Sequence, residues 1–274
     1  MRFIDRGRGT PLLFITGLQG RWEYSAAAVD ALAERFRVIT FPLADEPSAG
    51  YPFDRRNPSQ SYVAHLEAVM DEAGVGQAIV CGLSFGGVLA LNFAATRRAR
   101  TRALILASTP GPGWHLRKKH EVYTRLPWLF GPLFLAETPL RLRREIAVAV
   151  PSRTHRLGMA CVALKTLVTA RPSPSRMAAR ARLIATLDID GDCAKVAAPT
   201  LVITGEPGLD HVVHVGQTSE YVRRIAGATS AVIARTGHLG SITRPEVFAA
   251  TIHRFVSGLS IDSRPAGARD QDVA

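Results

Sequence analysis

The sequence has few of the residues that mark disulfide-rich, metal-binding and cofactor-binding proteins. It contains only three cysteines, Cys81, Cys161 and Cys193, and no two of them have the short spacing of a zinc or redox motif. An odd and small number of cysteines does not indicate a disulfide framework. No glycine-rich phosphate loop occurs either. We therefore expect a protein that binds no metal and no cofactor.

Long apolar runs are also missing. No stretch of eighteen uncharged apolar residues occurs, so a transmembrane helix is not predicted. The first six residues include Arg2, Asp5 and Arg6, where a secretory signal would need an apolar run. We therefore expect a cytoplasmic protein. Hydrophobic residues make up 47% of the chain, which is enough for a sizeable core.

The most informative motif that is present is G-x-S-x-G at residues 82–86, with Ser84 at its centre. Residues 77–81 before it are apolar and short, as in a buried strand. Residues 87–95 after it have the alanine content and apolar spacing of a helix packed on a sheet. Strand, sharp turn and helix form the context of a nucleophile elbow, in which a strained turn exposes the serine hydroxyl above the sheet.

Strand-like and helix-like segments alternate over most of the chain. Such alternation predicts an α/β fold, with a mostly parallel sheet covered by helices on both faces and a ligand site beyond the carboxyl ends of the strands. The predicted strands lie near residues 11–15, 36–41, 77–81, 102–107, 200–204 and 230–234. The predicted helices lie near residues 23–35, 59–74, 86–98, 216–226 and 245–256.

Across about residues 2–110 and 185–257, the chain resembles the α/β-hydrolase fold family. The elbow comes first, an acidic residue follows the strand at 200–204, and a histidine in a glycine-flanked loop follows the strand at 230–234. The resemblance implies that Ser84 is the nucleophile, His238 the general base and Asp210 the carboxylate that orients the imidazole. Glu206 lies closer to the strand and is the alternative acid.

The resemblance also implies an oxyanion hole made of two backbone N–H groups. One belongs to Phe85, directly after the serine. The other lies in the loop 16–20 after the strand at 11–15, and we assign it to Leu18. Many relatives begin this loop with His-Gly, whereas this chain has Thr16 and Gly17.

The β/α alternation stops between residues 111 and 184, a span that is helix-like and punctuated by prolines. In the family, an insertion after the sixth strand of the fold, here the strand at 102–107, forms a helical cap over the active site. The predicted organisation is thus an α/β-hydrolase core at residues 1–110 and 185–258, a cap at 111–184 and a disordered tail at 259–274.

The cap carries the whole net charge of the chain. Residues 114–182 contain fourteen Lys and Arg against three Asp and Glu, a surplus of eleven positive charges that equals the net charge of the full sequence. Three explanations remain open: a solvated basic surface, contact with an anionic membrane surface, and attraction of an anionic substrate such as an acyl-CoA. Nucleic acid is not an expected partner, because the charge is not interleaved with exposed aromatics and no binding module occurs.

Residues 126–135 of the cap are strongly apolar and offer no specific polar contacts. They predict a pocket for an apolar acyl or aromatic group. The assigned pocket residues are Trp128, Phe130, Leu133 and Phe134. We therefore expect a serine hydrolase that cleaves a small-molecule carboxylic ester or thioester. Carbon–carbon bond hydrolysis, perhydrolysis, acyl transfer and a low-turnover receptor remain alternatives on the same triad.

Overall fold

A computed structural model describes residues 1–262 and shows one seven-stranded sheet. The strands lie in the order β1-β3-β2-β4-β5-β6-β7, and all neighbours are parallel except β1 and β3. This arrangement confirms the predicted α/β class. The strands are β1 (Ile4–Arg6), β2 (Pro11–Ile15), β3 (Arg37–Thr40), β4 (Ala78–Leu83), β5 (Thr101–Ala107), β6 (Thr200–Thr204) and β7 (Thr229–Val232).

Alternate residues of each central strand pack into two separate apolar layers, one on each face of the sheet. In β2, Leu13 and Ile15 pack in one layer, whereas Leu12 and Phe14 pack in the other, because successive side chains point to opposite faces. Both faces of the sheet are therefore buried, which explains why these strands read as continuous apolar runs.

Helices cover both layers. The first layer is completed by α2 (Pro58–Glu72), α3 (Phe85–Thr96), α8 (Ile189–Lys195) and α9 (Val215–Arg224). The second layer is completed by α1 (Ala26–Ala33) and α11 (Pro245–Asp262), and the short α10 (Gly240–Thr243) directly precedes α11. Of these helices, α8 and α10 were not predicted, because four to seven residues give too little periodicity to detect.

Four more helices follow β5 and lie within residues 111–184, the predicted cap. They are α4 (Lys118–Arg125), α5 (Pro127–Ala149), α6 (Arg153–Thr169) and α7 (Pro174–Ile184). The helix α5 continues through Pro132 and Pro139. No residue of α6 is buried, so this helix lies on the outside of the cap. Within the described residues, no helix has the length and apolarity needed to cross a membrane.

The carboxyl terminus differs in part from the prediction. The last helix, α11, continues to Asp262, so the proposed tail does not begin at residue 259. Polar residues in this stretch suggested disorder, but they extend a helix whose earlier turns are anchored by the buried Phe248 and Ile252. Residues 263–274 lie outside the described part of the chain.

Candidate active site

Ser84 sits on a strained turn between β4 and α3. Its backbone has φ of +54° and ψ of −119°, a conformation that normally requires glycine. The turn is sharp because the strand and the helix touch: a Cβ at Gly82 would collide with the backbone of Gly86, and one at Gly86 would collide with that of Ile15. The two motif glycines are therefore needed for close packing, and they leave the serine at the carboxyl edge of the sheet.

His238 and Asp210 come together from two different loops at the same edge. The Nδ1 atom of His238 lies 3.4 Å from Oδ2 of Asp210, and both side chains are largely buried. The other oxygen of Asp210 accepts hydrogen bonds from the backbone N–H groups of Val212 (2.9 Å) and Val213 (2.8 Å). Burial opposes ionisation, but His238 and these amides outweigh it and lower the pKa of Asp210. The pair is thus built to hold a carboxylate beside the imidazole.

Glu206, the alternative acid, has a different partner. Its Oε1 atom accepts a hydrogen bond of 2.7 Å from the backbone N–H of Arg235, and its own N–H donates to the carbonyl of Thr236. Both bonds link the loop after β6 to the loop that carries His238. The turn at residues 206–210 also accommodates the extra residues before Asp210, since Leu209 and Asp210 donate to the carbonyl of Glu206. The geometry favours Asp210 as the acid and gives Glu206 a role in holding the loop.

The loop after β2 passes directly beside Ser84, as the predicted oxyanion hole requires. A Cβ at Gly17 would lie 3.5 Å from the Cβ of Ser84. The carbonyl of Leu18 accepts a hydrogen bond of 2.8 Å from Arg180, a fully buried arginine on α7 of the cap. Arg180 also pairs with Asp45 and Glu46. A cap residue therefore fixes the loop whose N–H group we assign to the oxyanion hole.

A cavity of about 940 Å³, counting its part open to solvent, lies between the cap and the core and contains Ser84. Its wall is mainly apolar and draws on both parts of the chain. Members of the wall include Leu18, Phe85, Trp114, Phe134, Leu135 and Met177. His211, next to Asp210 in the sequence, also lines it. The space can take an apolar group attached to a carbonyl at Ser84.

Of the four predicted pocket residues, only Phe134 lines this cavity. Trp128 is 71% exposed and Leu133 is 47% exposed, while Phe130 stacks on Tyr123 with ring centroids 5.3 Å apart. The reason is helical geometry, because one stripe of α5 faces the cavity through Pro127, Gly131, Phe134 and Leu135. The assignment of Trp128, Phe130 and Leu133 is therefore wrong.

Several polar residues of the cavity wall were not predicted, among them Arg141 and His120. Arg141 on α5 contacts the Nε2 atom of His120 at 3.3 Å and lies over the ring of Phe134. Burial, together with the charge of Arg141, lowers the pKa of His120. The fourteen basic residues of the cap gave no signal that this arginine faces inward. Among the described residues, no group of three potential metal ligands converges.

Comparison with known proteins shows which family this chain belongs to. The sequence pattern described as Alpha/beta hydrolase family matches residues 12–251, which is most of the chain. The chain belongs to the alpha/beta hydrolase family. It is also similar to a pimeloyl-[acyl-carrier protein] methyl ester esterase of Stenotrophomonas maltophilia (strain R551-3). That similarity is 27% identity over 260 residues, or 93% of this chain and 95% of the relative.

Solved structures of other α/β-hydrolases share the fold. An enol-lactonase from Burkholderia xenovorans LB400 has a TM-score of 0.74 at 20% identity, covering 93% of this chain and 96% of that one. A meta-cleavage product hydrolase from Pseudomonas fluorescens IP01 has a TM-score of 0.70 at 22% identity, covering 94% of each chain. The prediction of the α/β-hydrolase fold is confirmed, and the relative from Stenotrophomonas is named as an esterase.

Proposed function

We propose that this α/β-hydrolase cleaves a carboxylic ester or thioester with an apolar acyl or aromatic group, through an acyl-enzyme on Ser84. The observation that carries the proposal is the strained Ser84 at the floor of an apolar cavity, with the His238–Asp210 pair at the same sheet edge. A strained turn is costly, of the order of 1–3 kcal/mol, and such strain is concentrated at functional sites.

The proposed reaction has two steps. His238 removes the proton of Ser84 Oγ as this oxygen attacks the substrate carbonyl, and the N–H groups of Phe85 and Leu18 stabilise the resulting oxyanion. The C–O or C–S bond then breaks, and the alcohol or thiol leaves with the proton from His238. Water, deprotonated by His238, attacks the acyl-enzyme and releases the acid and free Ser84.

General-base catalysis needs a hydrogen bond between the His238 ring and Ser84. Among the described residues this bond is not formed, and the Nδ1 atom of His238 has no hydrogen-bond partner. Catalytic hydrogen bonds are often long before substrate binds and tighten in the Michaelis complex.

The decisive experiment is intact-mass analysis after exposure to a fluorophosphonate, with Ser84→Ala as the matched variant. One adduct on the wild-type protein and none on Ser84→Ala would support an activated serine. A wild-type protein that remains unmodified at millimolar reagent would count against the proposed function and favour a receptor-like role. A panel of p-nitrophenyl esters of increasing acyl length then measures how far the cavity accommodates the acyl chain.

We further propose that the acyl group is carried by an anionic partner, such as a carrier protein or a nucleotide. The support is the surplus of eleven positive charges in the cap and the relative from Stenotrophomonas, which is named for an ester on an acyl-carrier protein. The kcat/KM for an anionic substrate should fall as the salt concentration rises from about 20 to about 500 mM. The kcat/KM for a neutral p-nitrophenyl ester should not change over the same range. Equal salt responses of the two substrates would contradict this proposal.

The exposed apolar side chains of the cap favour a second use of its charge, which is contact with an anionic membrane surface. Trp128 and Leu129 are 71% and 50% exposed, and Arg125 lies just before them in the sequence. Cosedimentation with phosphatidylglycerol vesicles at low salt, lost at high salt and weakened by Trp128→Ala, would support it. The absence of low-salt binding would contradict it.

We propose a cytoplasmic location. The support is that all three cysteines are free, as a reducing compartment would keep them. Fractionation of cells that express the full chain, followed by immunoblotting of each fraction, tests this location.

A further inference from the structure

Glu145 is a carboxylate of the cap that reaches into the catalytic core. It lies near the end of α5 and is fully buried. Its Oε1 atom accepts hydrogen bonds from the N–H groups of Gly237 (2.7 Å) and Leu239 (2.6 Å). Its Oε2 atom accepts one from the N–H of His238 at 3.1 Å. Three consecutive amides, centred on the proposed general base, thus converge on one side chain.

This arrangement fixes the backbone on both sides of His238. Charge-assisted hydrogen bonds are among the stronger polar contacts, and without the carboxylate three largely buried N–H groups would lose their partner. The contact requires a carboxylate, because three backbone N–H groups donate to the two side-chain oxygens and each oxygen must accept. A glutamine at this position would turn its own N–H₂ group toward at least one of the donors.

The charged groups that face Glu145 come from two core loops. His238 and Asp210 belong to the proposed triad, and Arg235 donates a hydrogen bond of 2.9 Å to the carbonyl of Val148, one turn further along α5. Burial raises the pKa of Glu145, while the amides and His238 oppose that rise. Two groups therefore hold the end of α5 on the loop that carries His238: the Glu145 carboxylate and the carbonyl of Val148.

We propose that Glu145 is a positioning residue that holds the backbone of His238 in its catalytic place, so that the cap must be seated for the general base to work. The inference rests on the proposed function of Ser84 and His238. It assigns to the cap a part in the catalytic geometry, beyond covering the cavity.

The test compares Glu145→Gln with the wild-type protein in hydrolysis of a p-nitrophenyl ester, and uses Glu121→Gln as the control. Glu121 is an exposed glutamate of the same cap, so its variant makes the same change in net charge. We expect Glu145→Gln to lower kcat about 10–100-fold with KM within about twofold, as misplacement of a catalytic group does.

Three outcomes would overturn the inference: an unchanged kcat, a loss confined to KM, or an equal loss in Glu121→Gln. Fluorophosphonate labelling separates these from failure of the proposed function. If Ser84 of the wild-type protein does not react, the proposed function fails. If Ser84 reacts equally fast in the wild-type protein and in Glu145→Gln, only the positioning role fails.

A measurement on the unaltered protein keeps the inference testable if Glu145→Gln does not fold. Hydrogen exchange of a peptide spanning residues 234–240, followed by mass spectrometry, should show three protected amides in a loop without regular secondary structure. Full exchange of these amides within seconds at neutral pH would overturn the inference.

Discussion

The Arg180 guanidinium on α7 donates a hydrogen bond of 2.8 Å to the carbonyl oxygen of Leu18 in the proposed oxyanion loop. The same guanidinium pairs with Asp45 and Glu46, and all three side chains are nearly inaccessible to solvent. A Cβ at Gly20 would collide with this arginine. The loop beside Ser84 is therefore shaped around a cation that the cap supplies.

Replacement of Arg180 should destabilise the protein and impair catalysis together. Arg180→Met leaves two buried carboxylates without their main partner, and breaking a buried pair in this way costs about 3–5 kcal/mol. Urea denaturation gives the free energy of unfolding, and ester hydrolysis gives kcat. Arg176→Met is the control, because Arg176 pairs with Glu46 from a partly exposed position. An Arg180→Met variant as stable as Arg176→Met would contradict the prediction.

Removing the side chain of Ser84 should reveal the strain of its turn. Both Ser84→Ala and Ser84→Gly should lower kcat at least about 10⁴-fold. Only glycine adopts φ of +54° with ψ of −119° without strain. We therefore expect the free energy of unfolding of Ser84→Gly to exceed that of Ser84→Ala by about 1 kcal/mol, which makes the glycine variant the more stable one. Equal denaturation midpoints for the two variants would argue against stored strain.

Mutation of the two candidate acids, Asp210 and Glu206, should have clearly different effects on kcat. Asp210→Asn should lower kcat about 10³-fold, because the amide cannot stabilise the imidazolium and favours the wrong tautomer. Glu206→Gln should keep kcat within about tenfold, since its carboxylate contacts the Arg235 amide. Steady-state kinetics of both variants on one ester measures this difference. The reverse order of effects would assign the acid to Glu206.

Phe134 and Trp128 should differ in their effect on substrate selectivity. Phe134 lines the cavity, whereas Trp128 lies outside it and is 71% exposed. Phe134→Ala should raise KM for a long-chain ester about tenfold, in line with the loss of roughly 1–3 kcal/mol of apolar contact. Trp128→Ala should leave KM for the same ester within about twofold. An equal rise of KM in both variants would place the acyl group on the outer face of α5.

His65 should make stability dependent on pH. This α2 histidine is fully buried against Phe41 and Tyr51, and neither ring nitrogen has a hydrogen-bond partner among the described residues. Burial lowers its pKa from 6.5 to about 4. The neutral ring is favoured in the folded state, so this stability is complete above about pH 6.5 and is lost as pH falls toward 4, by roughly 3 kcal/mol in total.

Denaturation midpoints of the wild-type protein and of His65→Leu between pH 4 and 7 (about this range) measure the contribution. The variant should lose less stability on acidification than the wild-type protein. His155→Leu, at an exposed position of α6, is the control and should follow the wild-type curve. Parallel curves for the wild-type protein and His65→Leu would show that His65 does not titrate in this way.

Local patterns predicted the elbow around Ser84 and six of the seven strands that the structure describes, whereas Asp210 and His238 were assigned by the resemblance to the α/β-hydrolase family. Buried parallel strands must be continuously apolar, and a close strand–helix turn must have glycines, so both features are visible in a short window of sequence. Apart from the longer α11, the limits of the predicted strands and helices of the core differ from the structure by only a few residues, for example Phe85–Thr96 for the helix predicted at 86–98.

Contacts between distant segments were decided only by the tertiary structure. Which stripe of α5 faces the cavity depends on how the helix docks, so Phe134 and Arg141 face inward while Trp128 remains in water. Glu145 and Arg180 read as ordinary charges of a basic cap, yet each is buried against a loop that lies about 90 to 160 residues away. A buried charge is recognised by its partners, and partners that far apart in the chain are brought together by packing alone.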